Sequence, residues 1–275
     1  MEYRTIGQSD VKVSAITLGT WAIGGWMWGG TDEAEAIAAI QASLDAGVTS
    51  IDTAPVYGYG RSEEIVGKAV AGRPRDSYQL MTKYCLRWDD TEGEYHFEWT
   101  DNSGETKKIY KNARPDSIIF ECEQSLRRLG TDYIDLYQCH WRDSTTPVEV
   151  TAEAVAKLIE QGKVRAAGVS NFTVEEIAAY NATAPLASNQ PPYSMVARDI
   201  DVDVLPYCRE HGIGTIAYSS LQRGLLTGKF TADHTFSGDD HRASSPLFQG
   251  ENLAKVNAFL DAIRPIAAGH DATVA

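Results

Sequence analysis

Short apolar runs alternate with amphipathic helical patterns along nearly the whole chain, and this alternation restricts its fold more than any other feature. Seven runs have the character of strands, at residues 15–18, 48–53, 78–82, 133–139, 164–169, 188–190 and 214–217. Each precedes a segment in which apolar residues recur at helical spacing. Apolar strands joined by helices indicate a parallel sheet covered by helices, which is an α/β fold.

Residues that begin and end helices delimit several of these units. Thr31 is the predicted N-cap of the first helix, which ends before Gly47. Another helix begins at Pro115 and ends at Gly130. Residues 173–176 (TVEE) form a capping-box sequence that opens a further helix.

Seven strand–helix units predict a closing (β/α)8 TIM barrel, with residues 1–275 as a single domain. The alternative is an open doubly wound sheet. That fold would be supported by a GxGxxG fingerprint after the first strand, but residues 18–21 read LGTW instead. Residues 3–13 are predicted to form a hairpin that caps the barrel floor. A second hairpin is inserted at about residues 87–112, as either a surface decoration or a lid over the substrate pocket.

Charge and composition exclude several classes of protein. The chain carries a formal net charge of −13, which disfavours nucleic acid and anionic membranes as partners. No apolar stretch approaches the roughly 18 residues of a membrane span, and polar residues 1–10 do not resemble a signal peptide. The four cysteines form no CxxC pair and the six histidines no HExxH motif, so we expect buried free thiols, a cytoplasmic location and no metal site.

Four chemically versatile residues lie at or just beyond the ends of strands: Asp52, Tyr57, Lys83 and His140, hereafter the tetrad. In a (β/α)8 barrel the carboxyl ends of the strands carry the active site. Later strands bring further polar residues to the same rim: Ser170, Asn171, Gln190 and Tyr218. Singly, each tetrad residue has another interpretation, as a structural ion pair (Asp52 and Lys83), a packing tyrosine or a core histidine.

Together the tetrad residues have the chemistry needed to protonate a carbonyl oxygen. A free tyrosine titrates near pH ~10, and the ammonium of Lys83 is predicted to lower the pKa of Tyr57. Burial favours the neutral form of Lys83, and pairing with Asp52 opposes that effect. His140 is placed to hydrogen-bond the carbonyl oxygen and orient the substrate.

At this level of detail the chain resembles the aldo-keto reductases over almost its whole length. The motifs that carry the resemblance are LGTW at 18–21, DTAPVYGYGRSEEIVGKA at 52–69, TK at 82–83, GTDYIDLYQCHW at 130–141, GVSNF at 168–172 and YSSLQRGLLTGKF at 218–230. The GLLTGKF run and the inserted hairpin are most similar to a bacterial branch of general stress and inositol-operon reductases.

The resemblance implies a role for each matching residue. Tyr57 would donate the proton, with Lys83 and Asp52 tuning it and His140 orienting the substrate. The cofactor would be NADP(H) by preference, or NAD(H), held by Gly19, Thr20, Trp21, Asp52, Ser170, Asn171, Gln190, Tyr218, Ser219, Ser220, Leu221, Gly224, Leu225 and Lys229. The substrate would lie against Trp21, Trp28, Trp88 and Trp141.

The implied activity is reversible reduction of aldehydes and ketones to alcohols with NAD(P)H. The implied partner is a small carbonyl or alcohol, and the protein is expected to be a monomer or weak homo-oligomer. The family pattern continues with an eighth strand and final helices, which this sequence is expected to lack. The alternatives are a cofactor-binding regulatory or sensor subunit, a catalytically impaired truncated form, and a Schiff-base enzyme with Lys83 as nucleophile.

Overall fold

The structure is a computed structural model that describes residues 1–275. Its strands are β1 (Tyr3–Thr5), β2 (Lys12–Ser14), β3 (Thr17–Gly19), β4 (Ser50–Asp52), β5 (Gln79–Tyr84), β6 (Leu86–Arg87), β7 (Glu94–Thr100), β8 (Thr106–Lys111), β9 (Ile134–Cys139), β10 (Val164–Ser170), β11 (Ser188–Gln190) and β12 (Gly214–Thr215). Its helices are α1 (Glu33–Asp45), α2 (Arg61–Val70), α3 (Pro115–Leu129), α4 (Val148–Glu160), α5 (Val174–Thr183), α6 (Val204–Glu210) and α7 (Gly250–Ala268).

A curled parallel sheet of seven strands is the centre of the fold, in the order β12-β11-β10-β9-β5-β4-β3. A helix follows each of these strands along the chain, as the alternating pattern predicted. The α/β, TIM-barrel-like arrangement is therefore confirmed, with seven strands in the sheet rather than the eight of a complete (β/α)8 barrel. None of the helices combines the length and apolar character needed to cross a bilayer.

Helix boundaries agree with the sequence signals at most positions. Pro115 begins α3, Gly130 ends it in the left-handed conformation (φ 66°), and the predicted capping box opens α5. The prediction of Thr31 as the cap of α1 is wrong. Asp32 is the cap, because its carboxylate accepts the N–H of Glu35 (2.9 Å) from the position directly before the first helical residue.

The amino-terminal hairpin of β1 and β2 lies across the floor of the sheet. Ile6, Val11 and Val13 are buried there against Met81 and Leu136 of β5 and β9. Burying each such side chain stabilises the fold by about 1.5–3 kcal/mol. The hairpin therefore closes the amino-terminal end of the strands and leaves their carboxyl ends for chemistry.

A second antiparallel unit lies on the opposite rim. β6, β8 and β7 form a three-stranded sheet inserted between β5 and α3. Its residues Phe97, Trp99 and Ile109 pack in one cluster with Trp26 and Tyr57. The insertion is thus attached through an apolar contact surface to the rim formed by the carboxyl ends of the strands.

Candidate active site

The centre of the site is a buried ion pair between neighbouring strands. Lys83 Nζ lies 2.6 Å from Asp52 Oδ2 and donates a second hydrogen bond to the carbonyl of Thr53 at 2.9 Å. Lys83 is fully buried, and the side chain of Asp52 is 12% exposed. Burial lowers the pKa of Lys83, but attraction to Asp52 and Tyr57 more than offsets it, so the pKa is raised. Lys83 therefore carries its proton, as predicted.

The other oxygen of Asp52 is held by two amides. Gln138 and Gln190 each donate through Nε2 to Asp52 Oδ1 at 3.0 Å. Gln190 was predicted to serve the cofactor, whereas Gln138 was not predicted at all. Gln138 lies in β9, and His140 directly follows that strand two residues later. Because side chains alternate along a strand, both point to the same face, and this spacing is the sequence signal for Gln138.

Tyr57 is supplied by the loop after β4. The centroid of its ring lies 5.0 Å from Lys83 Nζ and 5.6 Å from the ring centroid of His140. Two glycines let the backbones of the loops after β3 and β4 come into contact: a Cβ on Gly24 would lie 2.6 Å from the carbonyl oxygen of Tyr57, and one on Gly58 (φ 67°) would lie 2.4 Å from that of Gly24. The structure thus brings all four tetrad residues together.

Burial changes the titration of the tetrad in one unexpected way. Burial raises the pKa of Tyr57, Lys83 opposes this, and the net pKa lies above its ordinary value. The predicted lowering by Lys83 is present but outweighed by desolvation of the phenolate. The pKa of His140 lies well below its ordinary value because of burial, Lys83 and His96. The site therefore presents a protonated phenol beside a neutral imidazole.

Thr20 holds the backbone of the tetrad residue Asp52 through two hydrogen bonds. Its N–H (2.9 Å) and hydroxyl (3.0 Å) both donate to the carbonyl of Asp52, and it accepts from Ser62 of α2 at 2.8 Å. Thr20 is completely buried, while Gly19, beside Asp52 in the sheet register, is exposed. The hydroxyl of Thr20 is thus engaged in holding β4 to α2.

Four residues that were predicted to bind the cofactor form one hydrogen-bonded group beside His140: Ser170, Asn171, Gln190 and Tyr218. Ser170 Oγ donates to the carbonyl of Gln190 at 2.7 Å, and Asn171 Nδ2 donates to that of His140 at 3.1 Å. Tyr218 OH donates to Asn171 Oδ1 at 2.9 Å. Polar groups suited to an amide therefore meet on β10, β11 and the residues after β12.

The segment from Ser219 to Lys229, several residues of which were predicted to bind the cofactor, has an irregular backbone. Its backbone takes left-handed conformations at Ser219 (φ 54°), Gln222 (48°), Arg223 (57°) and Gly224 (93°). The Nε of Arg223 is buried there without a hydrogen-bond partner among the protein's groups.

The individual side chains of this segment differ in their surroundings. Ser220, Leu221 and Lys229 are exposed, so they are accessible to a ligand. Leu225 is fully buried and packs with Phe248, so only its backbone could contact a cofactor.

The four predicted pocket tryptophans form two groups: Trp21 and Trp28 contact each other, and Trp88 and Trp141 pack on the same apolar cluster as Tyr57. The ring of Trp21 stacks on that of Tyr57 at 6.1 Å, and Trp28 meets Trp21 edge-on at 5.4 Å. Trp141 contacts His96 of the inserted hairpin. Trp88 instead lies against Tyr59 and lines a separate cavity of about 130 Å³, which contains no tetrad residue.

Three loops of the rim are joined by a carboxylate that the sequence did not indicate. Asp239 accepts the N–H groups of Met27 and Gly29, each at 2.9 Å, and the indole N–H of Trp99 at 3.4 Å. Its own N–H donates to Asn102 Oδ1 at 2.7 Å. These five residues, the Asp239 clasp, connect the loop after β3, the inserted hairpin and the segment before α7.

Replacing Asp239 with alanine should loosen the rim. The two backbone N–H groups would lose their acceptor, and we expect the free energy of unfolding to fall by about 1–3 kcal/mol. Amide hydrogen exchange should quicken at Met27 and Gly29. Asp233→Ala, an exposed change in the same segment, is the control. Equal exchange in both variants would show that the clasp does not hold the loop.

The comparisons with known proteins agree with this architecture. The sequence profile of the aldo/keto reductase family matches residues 15–275, and the chain belongs to that family. It is 49% identical over 263 residues to the aldo-keto reductase YhdN of Bacillus subtilis, covering 94% of this chain and 74% of the relative. It is 37% identical to the NADH-specific methylglyoxal reductase of Escherichia coli, in a match that covers 98% of this chain and 82% of the relative.

Solved structures show the same relationship. A glycerol dehydrogenase from Gluconobacter oxydans superposes with a TM-score of 0.86 at 43% identity, covering 99% of this chain and 79% of that one. An aldo/keto reductase from Klebsiella pneumoniae in complex with NADP and acetate superposes with a TM-score of 0.69 at 32% identity. The match covers 98% of this chain and 78% of that one. The chain is an NAD(P)-dependent oxidoreductase.

Proposed function

We propose that this protein reduces aldehydes and ketones to alcohols with NAD(P)H, and that Tyr57 is the general acid. The observation that carries the proposal is the position of the Tyr57 ring, whose centroid lies 5.0 Å from the buried ammonium of Lys83 and 5.6 Å from the ring centroid of the neutral imidazole of His140. Such a set of groups can stabilise a developing alkoxide and then protonate it.

The tetrad residues divide the work. His140 donates a hydrogen bond that orients the carbonyl oxygen toward Tyr57, and Tyr57 transfers its phenolic proton to that oxygen. Lys83 stabilises the phenolate left behind, while Asp52 keeps Lys83 charged and fixed. The reduced nicotinamide supplies the hydride when it is bound.

The cofactor would be held on the β10–β12 side of the site. Ser170, Asn171 and Gln190 would bind the carboxamide, Tyr218 would stack on the ring, and residues 219–229 would bind the pyrophosphate. The relative from Escherichia coli is NADH-specific by name, and the structure from Klebsiella pneumoniae contains NADP. We propose NADP(H) as the preferred cofactor, with NAD(H) as the alternative.

Oxidation of the reduced cofactor by a small carbonyl tests the function directly. NADPH and NADH are each supplied with methylglyoxal, the substrate in the name of one relative, and with a reactive aromatic aldehyde. We expect aldehyde-dependent oxidation with at least one cofactor. Cofactor binding without turnover of any carbonyl would instead favour a regulatory or sensor subunit.

The Schiff-base alternative is opposed by the state of Lys83. A nucleophilic lysine must lose its proton, whereas the raised pKa and the contacts with Asp52 and Thr53 keep Lys83 charged. Borohydride added with the carbonyl substrate should therefore leave the protein's mass unchanged. A trapped adduct at Lys83 would overturn the assignment of its role.

We also propose a cytoplasmic location. All four cysteines are free, buried thiols, which is the usual state in a reducing compartment.

A further inference from the structure

Three buried side chains form a closed triangle of hydrogen bonds on one face of the sheet. Gln138 and Gln190 both donate to Asp52 Oδ1 at 3.0 Å, and Gln190 Nε2 also donates to Gln138 Oε1 at 3.2 Å. Gln138 has no solvent exposure, so its amide depends on these two partners. Of the three residues, Gln138 is the one to which neither the tetrad nor the predicted cofactor site assigns a role.

The position of Gln138 in the sheet lets it reach both partners. Its register partners are Lys83 on β5 and Gly168 on β10, while Asp52 and Gln190 lie one strand further out on either side. Gly168 leaves room for the side chain, because a Cβ there would lie 2.8 Å from Gln138 Cγ. Gln138 therefore connects the strand that carries Asp52 to the strand that carries Gln190.

The triangle fixes which end of the Gln190 amide faces the site. A carboxylate oxygen can only accept, so the Nε2 of each amide must point toward Asp52 Oδ1. Both hydrogens on Gln190 Nε2 are then used, one by Asp52 and one by Gln138. Gln190 is 3% exposed, and its Oε1 accepts no hydrogen bond from the protein and is not sealed from solvent. Gln190 thus offers a ligand an acceptor and no donor.

An acceptor held in this way suits the NH₂ of a primary amide. The carboxamide of nicotinamide has such an NH₂, whereas a methyl group in the same place could not donate. Gln190 presents its oxygen only while its own NH₂ is turned toward Asp52 and Gln138. Without Gln138, one of these two restraints on the Gln190 amide is lost.

We infer that Gln138 is a positioning residue for the cofactor: it takes one N–H of Gln190, so that Gln190 Oε1 faces the carboxamide of the nicotinamide. Through its bond to Asp52 Oδ1, Gln138 also ties that amide to the pair of Asp52 and Lys83. This inference rests on the proposed reductase function and specifies how that site recognises its cofactor.

Equilibrium binding of two dinucleotides that differ only in the carboxamide tests the inference without turnover. NADP⁺ and its 3-acetylpyridine analogue, in which a methyl group replaces the NH₂, are titrated by calorimetry, and NAD⁺ and its analogue are compared in the same way. We expect the wild type to bind the carboxamide form about tenfold more tightly, the contribution of one hydrogen bond. In Gln138→Met, which keeps a side chain of similar length without its polar atoms, this preference should fall to about threefold or less.

A second glutamine of the same sheet provides the matched control. Gln79 accepts from Thr49 and Ser50 on the neighbouring strand and contacts no tetrad residue through its side chain. Gln79→Met should therefore keep the wild-type preference for the carboxamide. An equal decrease in Gln79→Met and Gln138→Met would contradict the inference, because it would trace the effect to general loosening of the sheet.

A preference that is unchanged in Gln138→Met would overturn the inference and leave the reductase function intact, as would a wild type that binds both forms equally. A wild type that binds neither NADP⁺ nor NAD⁺ would overturn the proposed function and this inference with it. If Gln138→Met fails to fold, Gly168→Ala displaces Gln138 while every polar group is retained. A lower preference in that variant supports the inference, and an unchanged preference contradicts it.

Discussion

Tyr57→Phe should lower kcat for carbonyl reduction by a factor of about 10²–10⁴, the usual contribution of a positioned general acid. The variant loses only the hydroxyl, so the ring still packs against Trp21 and His140. Cofactor affinity should therefore be nearly unchanged, since Tyr57 is on the substrate side. Stopped-flow oxidation of NADPH or NADH measures the chemical step, and fluorescence titration measures cofactor binding.

The loop offers a matched control two residues further on. Tyr59 has a buried hydroxyl without a hydrogen-bond partner, and its ring packs against Trp26 and Trp88 rather than the tetrad. Tyr59→Phe should keep the wild-type kcat. An equal decrease of kcat in Tyr57→Phe and Tyr59→Phe would mean that packing of the loop, rather than the phenolic proton of Tyr57, determines the rate.

Lys83→Met should both abolish turnover and destabilise the fold. Removing one partner of a buried pair leaves the other charge without compensation, and the cost is about 3–5 kcal/mol. Asp52 would keep its bonds from Gln138 and Gln190 but lose the ammonium. Urea unfolding of the single variant and of the double variant Asp52→Asn/Lys83→Met measures this loss in the free energy of unfolding. The double variant should recover part of the stability.

The control for Lys83 is an exposed pair of similar chemistry. Lys68 and Glu33 are 2.5 Å apart, and their side chains are 56% and 40% exposed. Lys68→Met should cost no more than about 1 kcal/mol, because water screens the pair. A similar loss in both variants would contradict the assignment of a buried, strongly coupled Lys83.

The pH dependence of stability provides a further check on Lys83. The pKa of Lys83 is raised in the folded state. Its contribution to the free energy of unfolding is therefore fully present below its pKa in the unfolded chain, about 10.4, and is lost as the pH rises through its pKa in the folded protein. The wild type should therefore lose more stability than Asp52→Asn/Lys83→Met as the solution becomes strongly alkaline. If the difference in the free energy of unfolding between the wild type and the double variant stays constant with pH, this linkage is ruled out.

The fold class and the tetrad were predictable because they follow from periodicity. Strands and helices that bury one face repeat their apolar residues at a fixed spacing, and parallel strands end on one rim. Asp52, Lys83 and His140 could thus be placed together from the ends of their strands. The same alternation places Gln138, two residues before His140, on the face of β9 that turns toward the tetrad.

What the sequence by itself determined was therefore the parallel sheet, its covering helices and the candidate tetrad. Only the tertiary structure decided the raised pKa of Tyr57, the Asp239 clasp and the triangle of Asp52, Gln138 and Gln190. The pKa depends on how completely surrounding groups exclude water, which no local pattern encodes. Asp239 lies in a segment without periodicity and meets Met27 across 212 residues of chain, and Gln190 meets Asp52 across 138. Such hydrogen bonds exist only after the strands and the rim loops have folded together.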